Sequence, residues 1–361
     1  MGSLYDVSSP TQPGKASIVK PRLRDAENDR EASLLLGYSL GELGDLTTGL
    51  AMMRHHNATC PDPLCPVHQT RYYRAAGRLN ECERIIKDAL AKISNNADQL
   101  SEFLVLSVLV SYLTERGEIN LSRKAVARMT CLKESGLEGT RPQDEIDDFF
   151  LSSQVELAHC MGEYSAALKK AKERLAVAID ARAISRYAQC NSSIAWSYRR
   201  LGELDLAEEH YRKALEISDE HGDHWSVFMM RLSLADTYLL RGQLETCRET
   251  LADLLTIGDG LGQVYRSRVL LTFAKLLFLI GDYNGSVREI ETCLRCYLIE
   301  CDTPVQFYVV RDALTHADEL KIGTQINRIA MTLPCPADWE DGRYQWMSPS
   351  PRLEKVKSRH S

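Results

Sequence analysis

Residues 55–68 read HHNATCPDPLCPVH and bring His55, His56, Cys60, Cys65 and His68 within fourteen positions. Imidazoles and thiolates of this kind are the ligands of tetrahedral Zn²⁺. The Cys-x₄-Cys-x₂-His spacing has no second Cys or His pair at the distance that completes a zinc finger. Pro61 and Pro63 stiffen the segment and exclude helix there, and a helix is expected to begin near Pro66, because Pro suits the first helical turn. The reading is therefore a Pro-rich loop carrying five metal-ligand candidates, and no metal or other cofactor is expected. Other chemistries leave no pattern. There is no G-x-x-x-x-G-K-[ST] phosphate loop, no G-x-G-x-x-G after a strand and no G-x-S-x-G nucleophile turn. The acidic run DEIDDFF from Asp144 reads as the first turn of a helix, where carboxylates favour the positive end of the dipole. No catalytic residues are assigned.

Whatever positions those side chains must be read from the whole chain. It has 361 residues, is 44% apolar and 26% charged, and carries a net charge of −6. That balance is globular, and its sign argues against a general nucleic-acid binder. No apolar run is long enough to span a bilayer, and the N-terminus has no apolar signal region. Asp6 stands where N-myristoylation needs Ser or Thr. Eleven cysteines, mostly inside helical patterns, read as reduced and mostly buried thiols. Residues 1–29 and 333–361 are Ser- and Pro-rich tails without an apolar face, the second of them basic.

Between the tails one phrase recurs, as in LGELDLAEEHYRKAL from Leu201 and RGQLETCRETLADLL from Arg241. Its glycines are Gly77, Gly117, Gly162, Gly202, Gly242 and Gly281, at spacings of 40, 45, 40, 40 and 39. Each glycine closes a helix with apolar residues at i, i+3, i+4 and i+7, and a second amphipathic helix follows. Such a pair buries only part of its apolar surface and needs a stacked neighbour to cover the rest. The residues beyond the usual repeat, as in EISDEHGDHWSVFMM and LLTIGDGLGQVYRSR, are expected between one second helix and the next first helix.

The pattern resembles tetratricopeptide repeats. Around Gly202, Ile194, Ala195 and Tyr198 fall on first-helix positions, and Leu204, Ala207, Tyr211 and Ala214 on second-helix positions. The units around Gly242 and Gly281 match through Leu234, Ala235, Tyr238, Cys247 and Leu251, and through Phe273, Ala274, Leu277 and Ile290. An earlier unit surrounds Gly44, and a capping pair surrounds Gly323. The longer period resembles the repeats of rapsyn, kinesin light chain and spindle-orientation adaptors. The resemblance implies an all-α, right-handed solenoid of antiparallel helix pairs over residues 30–332, with about seven repeats and a cap. It implies a non-enzymatic adaptor that binds a peptide or helix of a partner protein in its concave groove. Acidic and apolar residues would suit that groove. The setting implied is cytoplasmic, in contact with the cytoskeleton, without nucleic acid and without a membrane span. A regulatory or structural subunit of a larger assembly, and a zinc-stabilised module, are the alternatives.

Alignment on the glycines places Tyr38, Arg71, Arg74, His159, Trp196, Arg199, Arg200, Asp236, Lys275 and Phe278 along the groove. Arg grips carboxylates, and Trp and Tyr supply apolar contact area. Positions where chaperone-tail binders of this family carry Lys and Asn hold Leu34 and Tyr38, which does not fit a carboxylate clamp.

Overall fold

The computed structural model describes residue 51 and residues 64–300, apart from 76–78, 97, 138–140, 222 and 262. Twelve helices follow one another: α1 (Leu64–Ala75), α2 (Leu79–Asn96), α3 (Gln99–Glu115), α4 (Ile119–Glu134), α5 (Gln143–Cys160), α6 (Tyr164–Asp180), α7 (Ile184–Leu201), α8 (Leu204–Glu220), α9 (His224–Arg241), α10 (Leu244–Leu261), α11 (Gln263–Leu279) and α12 (Tyr283–Glu300). They form six antiparallel pairs about the six recurring glycines, an all-α solenoid. The units expected at Gly44 and Gly323 lie outside the described residues. No described helix is long and apolar enough to cross a membrane.

A repeated turn closes each pair. At Gly202 the chain takes φ +86°, which only glycine adopts without a Cβ penalty. Gly202 N–H then donates to Arg199 O at 3.1 Å and Glu203 N–H to Tyr198 O at 2.9 Å. These two bonds satisfy carbonyls that the helix end would leave orphaned. The same pair of bonds recurs at Gly117, Gly162, Gly242 and Gly281. It also recurs between α6 and α7, where the left-handed residue is Arg182, at φ +54°. That connection follows a second helix and has no glycine to mark it in the sequence.

Close helix contact fixes each pair. One position on the first helix and one twelve residues later on the second are buried in every unit: Thr70/Cys82, Val110/Ser122, Val155/Ala167, Ala195/Ala207, Ala235/Cys247 and Ala274/Ser286. Small side chains let the backbones approach. Cys82 Sγ reaches Thr70 O at 3.5 Å, and Ser286 Oγ donates to Ala274 O at 2.8 Å, across the pair. Tyr73, Tyr211, Phe228 and Leu251 fill the space beside these contacts.

Two sequence expectations change. The extra residues of the longer period do not form loops. α8 runs to Glu220 and α9 starts at His224, and α10 runs to Leu261 and α11 starts at Gln263. Continuing each helix satisfies backbone groups that a loop would have to pair by other means. Cys131 is exposed on α4, whereas Cys82, Cys160, Cys190, Cys247 and Cys293 are buried as expected. Burial pushes the Cys160 and Cys247 thiols up to about 12 and the Cys190 thiol up to about 11, so these three stay protonated and inert.

The first helices touch one another in succession, α1 on α3, α3 on α5, α7 on α9 and α9 on α11, and α5 meets α7 through His159 against Ser197 and Trp196. They form a contiguous layer, with the second helices packed against it. The apolar core is thick at both ends and thin between. Among the described residues one cluster runs from Ala195 to Leu276 and two more span Cys65–Ile146, and a smaller one with Val155, Ala171 and Ile194 at its core lies between them in the chain. A buried ion pair sits at that thin joint. Arg174 of α6 donates to both Asp148 oxygens of α5, at 2.8 and 3.1 Å, and to Gln189 Oε1 of α7 at 3.2 Å. Arg174 is 5% exposed and Asp148 8%. In neighbouring units Met129, Ala214 and Leu254 occupy the place of Arg174.

Two stability outcomes follow. Asp148→Ala leaves a buried guanidinium without its carboxylate and should cost about 3–5 kcal/mol by urea unfolding, while the double change Asp148→Leu with Arg174→Met should come near neutral. Arg182→Gly removes left-handed strain and should stabilise by about 0.5–1 kcal/mol, seen as a higher midpoint at unchanged urea slope.

Candidate functional site: the first-helix layer

A chain of polar contacts crosses the layer of first helices. Arg199 Nη1 of α7 donates to Asp236 Oδ2 of α9 at 2.9 Å, and Thr272 Oγ1 of α11 donates to Asp236 Oδ1 at 2.9 Å. Asp236 therefore joins three repeats through one carboxylate. Nearer the N-terminus, Ser111 Oγ of α3 donates to Glu156 Oε2 of α5 at 2.5 Å. The α5–α7 step is bridged by His159 Nε2 and Ser197 Oγ, 2.7 Å apart. The Ser197 hydroxyl donates to Ser193 O at 2.9 Å, so the imidazole N–H is the donor in that bridge.

Aromatic groups cluster at the same step. The Trp196 ring stands edge-on to His159, with centroids 3.9 Å apart at 87°, and edge-on to Tyr164 at 6.3 Å and 84°. Arg200 Nη2 donates to Tyr164 Oη at 2.7 Å. His159 is 6% exposed, and burial, with the Arg200 cation adding to it, holds its pKa down to about 3. The imidazole is neutral at physiological pH and acts here as a donor and a packing surface.

The ten residues expected along the groove divide as follows. His159, Trp196, Arg199, Arg200 and Asp236 come together on α5, α7 and α9. Lys275 and Phe278 lie on α11, one and two turns beyond Thr272. Phe278 packs edge-on to Tyr283 at 5.5 Å. Arg71 and Arg74 are on α1, and their side chains lie outside the described residues, as does Tyr38 entirely. Arg199 and Asp236 hold each other, at 14% and 33% side-chain exposure, so each also holds the stack together. Tyr164 and Ser197 belong to the same cluster and were not singled out from the sequence. Tyr164 opens a second helix, and Ser197 looks like a surface hydroxyl in isolation.

Of the metal candidates, His55, His56 and Cys60 lie outside the described residues. Cys65 is on α1, which begins two residues before the expected start at Pro66, and its thiol is fully buried with Tyr73, Cys82 and Ile85. Cys65 Sγ accepts a hydrogen bond from Gln69 at 3.5 Å. His68 sits one turn later on the same helix. Among the described residues no group of three or more His, Cys, Asp or Glu side chains could hold a metal ion.

The tetratricopeptide-repeat signature matches residues 188–221, which span most of α7 and all of α8. No curated protein matches the chain. Among solved structures, Rap protein complexed with competence and sporulation factor is similar over 95% of this chain and 98% of its own, at 13% identity and a TM-score of 0.51. BtubC (BKLC) from P. vanneervenii aligns over 61% of this chain and 90% of its own, at 15% identity and a TM-score of 0.44. A signal-transduction ATPase with a tetratricopeptide-repeat sensor, PH0952 from Pyrococcus horikoshii, aligns over 79% of this chain and 44% of its own, at 14% identity and a TM-score of 0.41.

His159 gives the site a pH signature. Its folded pKa near 3 lies below the unfolded value of about 6.5, so between these values the unfolded state binds the proton and the native state does not. Stability should therefore fall as pH drops below about 6.5, by up to about 1.4 kcal/mol per unit from this group. Thermal unfolding of His159→Gln between pH 7 and pH 5 should show a shallower decline than the parent. The matched repeat, its continuation on both sides and the shared fold make this chain a protein of the tetratricopeptide-repeat type.

Proposed function

We propose that this chain is a non-enzymatic adaptor that captures a peptide or helix of a partner protein along its first-helix layer. The observation that carries this reading is the contiguity of that layer. The helices α7, α9 and α11 carry Trp196, Arg200, Lys275 and Phe278 and are braced together by Arg199–Asp236–Thr272. A rigid, extended surface of mixed aromatic and basic groups binds without ordering itself first, which lowers the cost of association. The Rap structure, similar in fold, holds competence and sporulation factor, which shows that such an array can carry a ligand. The array extends over residues 30–332 between two tails, and the protein works in the cytoplasm.

A second reading is a subunit of a larger assembly. Its support is a set of exposed apolar side chains at the turns that close the pairs: Leu121, Leu201, Leu206, Ile280 and Tyr283, at 37–57% exposure. Such residues suit burial against a neighbour at that edge.

Site-specific photo-crosslinking separates the two. A benzophenone side chain at Ser193 of α7 should crosslink a partner protein in cells, and one at Glu249 on α10 should not. Crosslinks from Leu121 and Leu206 alone would replace the groove reading with the assembly reading.

A further inference from the structure

From α3 to α11 formal charge is sorted by layer, and the sorting reverses between α6 and α7; before it, α1 carries Arg71 and Arg74 and no acid. On the first helices α3 and α5 there are seven acidic residues, two and five respectively, and no basic one. Their second helices α4 and α6 carry four Lys or Arg each, against three acids in total. Beyond α6 the signs exchange. α7, α9 and α11 carry three, two and three basic residues, against the single acid Asp236. α8 and α10 carry six and four acidic residues, against three basic ones. The reversal falls at the joint held by Arg174 and Asp148.

The two halves use their charge differently. In the first half the inner acids are bound by neighbouring helices: Glu102 by Arg128 at 2.7 Å, Asp147 by Lys133 at 2.5 Å, Asp148 by Arg174 and Asp144 by Arg186 at 3.0 Å. They serve as cross-helix braces. In the second half three first-helix cations are used in that way, Arg186 on Asp144 and Glu145, Arg199 on Asp236, and Arg241 on Asp205 and Glu208. By formal charge the inner layer of α7, α9 and α11 carries eight cations against one carboxylate of its own, backed by an outer layer of opposite sign. Lys275 lies one turn from Thr272, Arg268 one turn on its other side, and Arg268 touches Met229 Sδ of α9 at 3.5 Å. Both cations thus share the Asp236–Thr272 face.

We infer that the partner segment is acidic, with apolar residues interleaved, and that it binds across α7, α9 and α11 only. This deepens the groove reading and rests on it. Carboxylates would meet Arg200, Arg268 and Lys275, and apolar side chains would meet Trp196 and Phe278. The first helices α3 and α5 offer that segment no lysine or arginine, and the second helices α8 and α10 carry mostly acids, so neither surface attracts it. Site and register are therefore set by charge as well as by shape.

The test uses the full-length protein and three short fluorescein-labelled peptides of alternating Leu with Glu, Gln or Lys, followed by anisotropy. The Glu peptide should bind at least about tenfold more tightly than the Gln peptide, with the Lys peptide weakest. Its affinity should fall between roughly 50 mM and 300 mM salt. Lys275→Glu with Arg268→Glu should weaken it by about tenfold or more, and the milder Lys275→Gln should weaken it without altering thermal unfolding. Arg248→Glu on the outer layer should leave it unchanged. Equal affinity for Glu and Gln peptides, or no Glu-peptide binding up to about 1 mM, overturns the charge assignment. Peptides that crosslink to α7 and α11 with no charge preference leave the groove reading standing and remove only this inference. Crosslinks confined to second helices remove both. Displacement of the Glu peptide by a single-stranded oligonucleotide at equal affinity overturns the assignment to a protein partner.

Discussion

The structure depends on one close approach. In each repeat two helices meet where a buried residue on the first faces a small one twelve positions later on the second. That spacing sets the turn: the first helix must end, reverse and start again within a few residues. A left-handed residue with two bonds back to the last turn is the shortest backbone solution. Once the pair is so joined, one face of each helix is committed to its mate and another is left for the next repeat. The array follows from repeating that geometry.

Stacking the pairs sets two demands in conflict. Apolar area between repeats supplies the driving force, but the layer of first helices must also offer groups to a partner. The ends of the described array resolve this with thick apolar clusters. The middle resolves it with polar groups: Arg174 with Asp148 and Gln189, and His159 with Ser197. A buried charge pair contributes little net stability compared with packed methyl groups. It does discriminate, because each charge accepts few alternative neighbours. The joint at α5, α6 and α7 is thus specified more by directional bonds than by apolar burial, and the charge of the two layers reverses there.

The same residues serve stacking and display. Asp236 neutralises Arg199 and anchors Thr272, which holds the faces of α7, α9 and α11 in line. Trp196 is packed by His159 and Tyr164 on its edges, so its ring is oriented before any ligand arrives. Preorganisation of this kind is why a helical array can bind through side chains on several repeats without a cavity.

Much of this was legible in the residues. Glycines at near-constant spacing marked the turns, and the 3.6-residue periodicity marked the faces. Six of the expected pairs lie in the described chain where those signals put them. The turn at Arg182 carried no glycine signal, because tertiary packing there imposes a conformation the residue type disfavours. The added length of the longer repeat was expected between one second helix and the next first helix, yet helix continues through most of it. Groove positions followed from register, but register says which face a side chain shares and not what it touches. That Arg199 is bound to Asp236, that Trp196 meets His159 and Tyr164, and that Cys65 turns into the core are contacts between residues far apart in sequence or on different helices. The sequence by itself determined the repeat, its period and the faces of its helices, because those depend on local periodicity and turn chemistry. Tertiary structure alone decided which charges brace the stack and which groups form the site, because pairing depends on distances that only the assembled layers create.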